Sequence, residues 1–347
     1  MALETPTSLV EQHDVPGATL ALCSADGVVT RSIGWHDRTR AARLSATARF
    51  PIYSIAKTMI ATIVLQLSEE DRLALETPLR EVVGDRAPWL DPAISIRQTL
   101  NHTSGLADYG NLPAYREALL ACPEDPWSES DFLAGGREAG PQFAPGAGWA
   151  YSNIGYMLLR LAIETATGMS FAEAVAARIA APLGLQQTGV VEDLAAMRAL
   201  NSGFSTTLSH DGTEEDITPR YHPGWVAHGL VASTAAETAR FLHALLNGSL
   251  LAPPSLAAML TPVRVPVAGH PIFRQPCYGL GVMLDPEAEG GLLVGHGGGG
   301  PGFSLGVLGL VRDGQAVTAA GMANSDRGDI GLALAARELR RMTPIDR

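Results

Sequence analysis

The sequence predicts an α/β chain in which strands from its two ends share one antiparallel sheet around an inserted helical block. Three observations carry this reading. Apolar strand-like runs flank Asp26-Gly27 near one end, others flank Asp313-Gly314 near the other, and the stretch between shows helical spacing broken by Pro and Gly. A tight Asp-Gly turn joins strands only as an antiparallel pair.

The elements follow in order. Ala18–Cys23 and Val28–Ile33 form the first hairpin. From Ser54 onward, Ile55, Met59, Ile60, Ile63, Val64 and Leu67 recur at helical spacing. Residues 72 to 200 read as helical patches, with amphipathic helices over Tyr156–Thr165 and Phe171–Ile179. The Gly- and Pro-rich stretch Ala134–Gly148 carries no periodicity and reads as a loop. Thr234 caps a helix that runs to Leu246 and stops at Asn247-Gly248. Strand-like segments then occupy Tyr278–Leu284, Gly291–His296, Phe303–Val311 and Ala316–Ala323. A closing helix, Leu332–Arg341, places arginines where they suit the helix dipole.

Composition removes several function classes. The 347 residues are 46% hydrophobic and 18% charged, enough for a large core without covalent staples. A net charge of -11, with no Lys/Arg cluster, is the wrong sign for binding phosphate backbones, so no nucleic-acid partner is expected. Cys23, Cys122 and Cys277 are too sparse for a disulfide framework or a zinc site. The nine histidines show no metal-ligand spacing; His222 and His228 flank a loop and read as surface or lining residues. No metal or cofactor is expected. No apolar run approaches the ~18 residues of a membrane span, and the first residues lack the basic and apolar regions of an export signal, which points to a cytoplasmic protein.

Four short patterns carry chemistry. Ser54-Ile55-Ala56-Lys57 opens a helix, and positions i and i+3 share a helix face, so the Lys57 amine reaches the Ser54 hydroxyl. A serine hydroxyl needs a base to become a nucleophile, and a buried lysine has the lowered pKa that makes it one. Tyr151-Ser152-Asn153 supplies a phenol and an amide just before a helix. Val294-Gly295-His296-Gly297-Gly298-Gly299 ends a strand in residues small enough for a substrate backbone to approach. His102-Thr103-Ser104-Gly105-Leu106 forms the fourth, and there His102 reads as a residue that holds a loop together. Each pattern alone is weak.

Together, in this order, they resemble the serine β-lactamase and penicillin-binding protein superfamily, and within it the branch of class C β-lactamases, D-aminopeptidases, D,D-peptidases and esterases. The resemblance runs from about residue 9 to 340. It implies Ser54 as nucleophile, with Lys57 and Tyr151 sharing general-base and general-acid work. It also implies Asn153, His296 and Gly298 as substrate-binding residues, and the N–H groups of Ser54 and Gly299 as an oxyanion hole. His296 stands where β-lactamases carry a lysine, which weakens the positive charge those enzymes set against a substrate carboxylate.

Rival motifs fail on context. Gly302-Phe303-Ser304-Leu305-Gly306 matches a nucleophile elbow, but no histidine follows Ser304 and a strand replaces the required helix. Gly295, Gly297 and Gly300 match a dinucleotide fingerprint without the helix that it needs.

The expected fold is therefore α/β (α+β), β-lactamase/transpeptidase-like. A five-stranded antiparallel sheet flanked by helices spans 1–70 and 210–347, and an all-helical domain, 71–209, is inserted after the Ser54 helix. The expected activity is hydrolysis of an ester, amide or D-amino-acid peptide through an acyl-Ser54 intermediate, on a small-molecule or short-peptide substrate. A transacylase using the same intermediate, and a catalytically silent binding protein, are the alternatives.

Overall fold

The computed structural model describes residues 6–342. Its strands are β1 (Gly17–Ser24), β2 (Gly27–Gly34), β3 (Phe50–Pro51), β4 (Gly189–Val191), β5 (Phe204–Ser205), β6 (Glu215–Asp216) and β7 (Leu230–Ser233), then β8 (Val263–Arg264), β9 (Cys277–Tyr278), β10 (Met283–Asp285), β11 (Leu292–Gly300), β12 (Phe303–Arg312) and β13 (Gln315–Ala323). The main sheet runs β2-β1-β13-β12-β11-β10-β9-β8, and every neighbouring pair is antiparallel. The early and late strands meet where β1 lies against β13, from Ala18 opposite Ala323 to Cys23 opposite Thr318. Strands β1 and β2 before Ser54 thus share one sheet with those after Gly279, as the hairpin chemistry requires, whereas β3, immediately before Ser54, lies in a separate small sheet.

The sheet is wider than the expected five strands. Five long strands, β2, β1, β13, β12 and β11, form its body, and three strands of two or three residues extend it beyond β11. The expected single strand Tyr278–Leu284 is split into β9 and β10, because Gly281 takes a positive φ and reverses the chain so that Met283 pairs with Tyr278.

Alternation along the strands buries both faces. Leu308 and Ala319 join Leu332 and Ala335 of the C-terminal helix Gly331–Met342. Val307 and Ala320, pointing the opposite way, belong with Leu242 of the helix Ala235–Leu246 to the main core. Thr234 caps that second helix as expected, accepting from the Glu237 N–H at 3.2 Å.

Residues 71–209 are chiefly helical but not wholly so, since β4 and β5 lie within them. Strand β4 pairs with β7, and β7 with β3 immediately before Ser54, so this small sheet ties the inserted block to the nucleophile's own segment. The expected loop Ala134–Gly148 begins later than predicted: a helix spans Glu129–Ala139. Its capping box, Ser128 with Asp131, was present in the sequence, and the Gly135-Gly136 pair masked it. Gly136 is there because an added Cβ would sit 3.2 Å from Ile154, so the glycine lets this helix close on the helix Asn153–Thr167.

Candidate active site

Ser54 lies in a tight turn, Tyr53–Ile55, that leads straight into the helix Ala56–Glu69. The turn is strained, since Tyr53 has φ 44°, a region that non-glycine residues avoid. Packing holds it there. The Tyr53 ring is buried against Tyr221 and Phe303, and its hydroxyl donates to the Pro301 carbonyl at 2.9 Å. The Ser54 N–H has no hydrogen-bond partner among the described residues, which leaves it free as a donor.

Lys57 follows one helical turn later and is fully buried. Its Nζ donates to Ser54 Oγ at 3.1 Å and to Asn153 Oδ1 at 2.6 Å, and stands 3.5 Å from His228 Nε2. No carboxylate touches it. Burial lowers its pKa to about 7, and the more distant charge of Asp108 only partly opposes this. A neutral amine beside a serine hydroxyl at physiological pH is a base within reach of its proton.

Tyr151, Ser152 and Asn153 enter through the start of the helix Asn153–Thr167. Ser152 caps it, accepting from the Gly155 N–H at 3.0 Å while donating to the Ala107 carbonyl at 2.8 Å. Its own N–H donates to His102 Nδ1 at 3.1 Å, and the Ala150 N–H donates to the His102 carbonyl. The His102 ring stacks 4.4 Å from the Tyr151 ring. His102 therefore does hold a loop, the one that carries Tyr151. Burial keeps the Tyr151 phenol far above its ordinary pKa, and a hydrogen bond with Ser54 acts weakly the other way. Of the two expected bases, Lys57 is thus the one poised to accept a proton and Tyr151 the one poised to supply it.

Strand β11 forms the opposite wall. The two-residue hairpin Pro301-Gly302 makes Gly300 and Phe303 a hydrogen-bonded pair, so alternation turns the Gly299 N–H away from β12. Pairing with β10 stops at Gly295, which leaves that edge open beside Ser54. Gly299 is exposed, and a Cβ there would meet nothing within 4 Å. Gly298 differs: its Cβ would fall 2.4 Å from the Ile52 carbonyl oxygen, so its smallness brings the strand against the Ser54 turn rather than admitting a substrate. His296 is buried, its Nε2 paired with the Tyr278 hydroxyl at 2.8 Å and its Nδ1 with the Gly297 carbonyl at 2.5 Å. Burial lowers its pKa to about 3, so it is neutral and both ring nitrogens are engaged.

The geometry brings Ser54, Lys57, Tyr151, Asn153, His296, Gly298 and Gly299 together. It adds His228, read from the sequence only as a surface or lining residue and here buried against Lys57, and two residues that sequence spacing did not single out: Tyr278 against His296, and Asp108, whose Oδ1 accepts from Asn153 Nδ2 at 2.9 Å. Only the proximity of Asp108 to the His102–Leu106 segment could have flagged it. Beside the site, a groove of about 890 Å³ runs along Gly297–Gly300, with Leu119, Leu120 and Arg116 on its far wall. The rival Ser304 is buried in β12, donating to Asp329 at 3.0 Å and accepting from the Gly331 N–H at 2.8 Å, with no lysine or histidine on it among the described residues. No group of residues suited to a metal ion occurs among those described, nor any helix long and apolar enough to cross a membrane.

A serine held by a buried lysine under an exposed strand edge defines a family as much as a fold. The Beta-lactamase family model matches residues 5–340, and the chain belongs to that family. It is 30% identical to Penicillin-binding protein 4* of Bacillus subtilis (strain 168) over 315 residues, 86% of this chain and 66% of that protein. It is 31% identical to Esterase EstB of Burkholderia gladioli over 222 residues, 61% of this chain and 55% of that one. The chain thus spans less than two thirds of the length of both relatives. A crystal structure of a D-stereospecific amidohydrolase from Streptomyces sp. superposes with a TM-score of 0.78 at 30% identity, covering 92% of each chain.

Proposed function

We propose that this protein is a serine hydrolase that opens esters or amides through an acyl-Ser54 intermediate. The observation that carries the reading is the buried Lys57 amine, 3.1 Å from Ser54 Oγ and held near neutrality by burial. As Oγ bonds to the substrate carbonyl carbon, its proton passes to Lys57, and the oxyanion is met by the Ser54 and Gly299 N–H groups. Collapse breaks the bond to the leaving alcohol or amine, which takes a proton from Tyr151, and Lys57 restores the phenol. Water then attacks the acyl carbon and gives its proton to the same pair, which returns it to Ser54 Oγ as the acyl bond breaks and the acid leaves. Residues 71–209 form one wall of this cleft, and the described residues on either side of them in the chain form the other.

Neutral His296 favours esters and amides over β-lactams, because no fixed cation on β11 meets a carboxylate. Intact-mass spectrometry after a fluorophosphonate tests the nucleophile. One adduct is expected, lost in Ser54→Ala and kept in Ser304→Ala; an adduct on Ser304 overturns the reading. With an ester donor and a panel of amines, acid is the expected product, and dominant amide would replace hydrolase with transacylase.

A further inference from the structure

We propose that β2, the open edge of the main sheet, pairs antiparallel with β2 of a second copy of this chain, so that two copies share one continuous sheet. Strand β2 pairs with β1 on one side and with no strand on the other. The two-residue turn Ala25-Asp26 makes Ser24 and Gly27 a hydrogen-bonded pair. Alternation then turns the backbone groups of Val29, Arg31 and Ile33 toward β1, and those of Val28, Thr30 and Ser32 outward. None of these three outward residues has a backbone hydrogen-bond partner among the described residues. The stretch Val29–Ser32 is exposed throughout. Val29 is 60% exposed, more than any other large apolar residue among those described.

Edge strands that stay unpaired are short, or carry Lys, Pro or a bulge. The far edge of the sheet obeys this, since β8 has two residues and lies between Pro262 and Pro266. Strand β2 has eight residues, no lysine or proline, and an unbroken register with β1 along its whole length. Its charge and register are self-complementary, which makes a second copy the partner that fits. A net charge of -11 sets two copies against each other over most of their surface, but seven of the eight β2 residues are uncharged. A two-fold axis at Thr30 pairs Val28 with Ser32, Thr30 with Thr30 and Ser32 with Val28. Every outward N–H and C=O of those residues is then satisfied on both copies. Between these pairs Val29 faces Arg31 of the second copy, so the exposed valine lies along the arginine's apolar stem. Each Arg31 keeps Glu338, 3.9 Å away, as its own counter-charge. An axis at Arg31 would instead set like charges directly opposite each other. Strands β1, β13 and β12 separate β2 from β11, so this pairing leaves the cleft at Ser54 open.

Sedimentation velocity over a range of protein concentrations tests the pairing, and the wild-type protein is expected to sediment as a dimer. Thr30→Pro removes an outward N–H, costs β1 no hydrogen bond, and takes from the dimer the two bonds exchanged across the axis. Its dimer dissociation constant is expected to rise at least about tenfold, with kcat/KM for an ester unchanged. Val29→Lys sets a charge on the same edge without touching the backbone, and the same rise is expected there even where the proline disturbs folding. Val267→Lys makes the same change at an exposed apolar residue beyond β8, and is expected to leave the constant within about twofold of wild type. A monomeric wild type, whose edge would then serve a strand of another protein or none, overturns the proposal. So does a dimer that both β2 variants leave intact, or one that Val267→Lys dissociates equally well.

Discussion

Replacing the buried Lys57 by Met is expected to stabilise the protein while abolishing its activity, with a pH dependence that identifies the cause. Burial lowers the amine from 10.5 to about 7. Each pKa unit corresponds to ~1.4 kcal/mol, so a displacement of about 3.5 makes burying this amine cost ~5 kcal/mol wherever the unfolded chain is fully protonated and the native one is not resisting further. Between pH 7 and 10.5 the unfolded chain binds more protons than the native one, so native stability rises with pH through this window and the cost fades. Below about pH 7 the cost is fully present. Methionine has similar volume and no charge, but it leaves Asn153 Oδ1 without its donor, a loss of ~1–3 kcal/mol. The net expectation is that Lys57→Met exceeds wild type by ~2–4 kcal/mol at pH 6 and lies within ~1 kcal/mol of it at pH 9. Urea unfolding followed by circular dichroism at the two pH values measures both differences. A stability difference that does not change between pH 6 and pH 9 would refute the argument, because only a titrating buried amine makes it vary.

The remaining predictions concern the same wall of the cleft. With Lys57 as base, kcat/KM for an ester rises as pH increases through about 7 and is lost as pH falls below it; a rate profile flat from pH 5.5 to 8 excludes that role. His228 is neutral through burial, and its Nε2, 3.5 Å from Lys57, favours the ammonium form, so His228→Leu moves the acidic limb to lower pH; a limb that stays in place means that the contact is inert. Gly298→Ala drives a methyl into the Ile52 carbonyl and loses ~1–3 kcal/mol of stability, whereas Gly299→Ala faces open space and stays within ~0.5 kcal/mol of wild type by the same urea assay.

Much of this architecture was legible in local sequence because its determinants are local. Asp26-Gly27 and Asp313-Gly314 are turns whose chemistry acts within four residues, and the strands they join follow. The Ser54–Lys57 contact is one helical turn, so spacing alone predicts it. Where neighbouring signals conflicted, the local reading failed. Gly135-Gly136 reads as loop although Ser128 opens a helix, because the reason for the glycines lies in Ile154, distant in sequence. Of the three short strands beyond β11, β8 was not expected, and β9 and β10 read as the single strand Tyr278–Leu284, for a similar reason: runs of two or three residues carry no period of their own and exist only because the sheet offers an edge to pair with.

The sequence by itself determined the antiparallel sheet shared by both chain ends, the serine and lysine on one helix face, and the phenol and amide ahead of a second helix. Only the tertiary structure decided what those groups are chemically. The Lys57 amine lies near neutrality because it is sealed from water, and Tyr151 stays a phenol for the same reason. His296 is neutral because burial outweighs the opposing hydrogen bond to the Gly297 carbonyl. Asp108 and His228 join the site across 45 and 171 residues of chain from the groups they serve. Burial and long-range contact set charge state, and neither is a property of the residue that carries the charge.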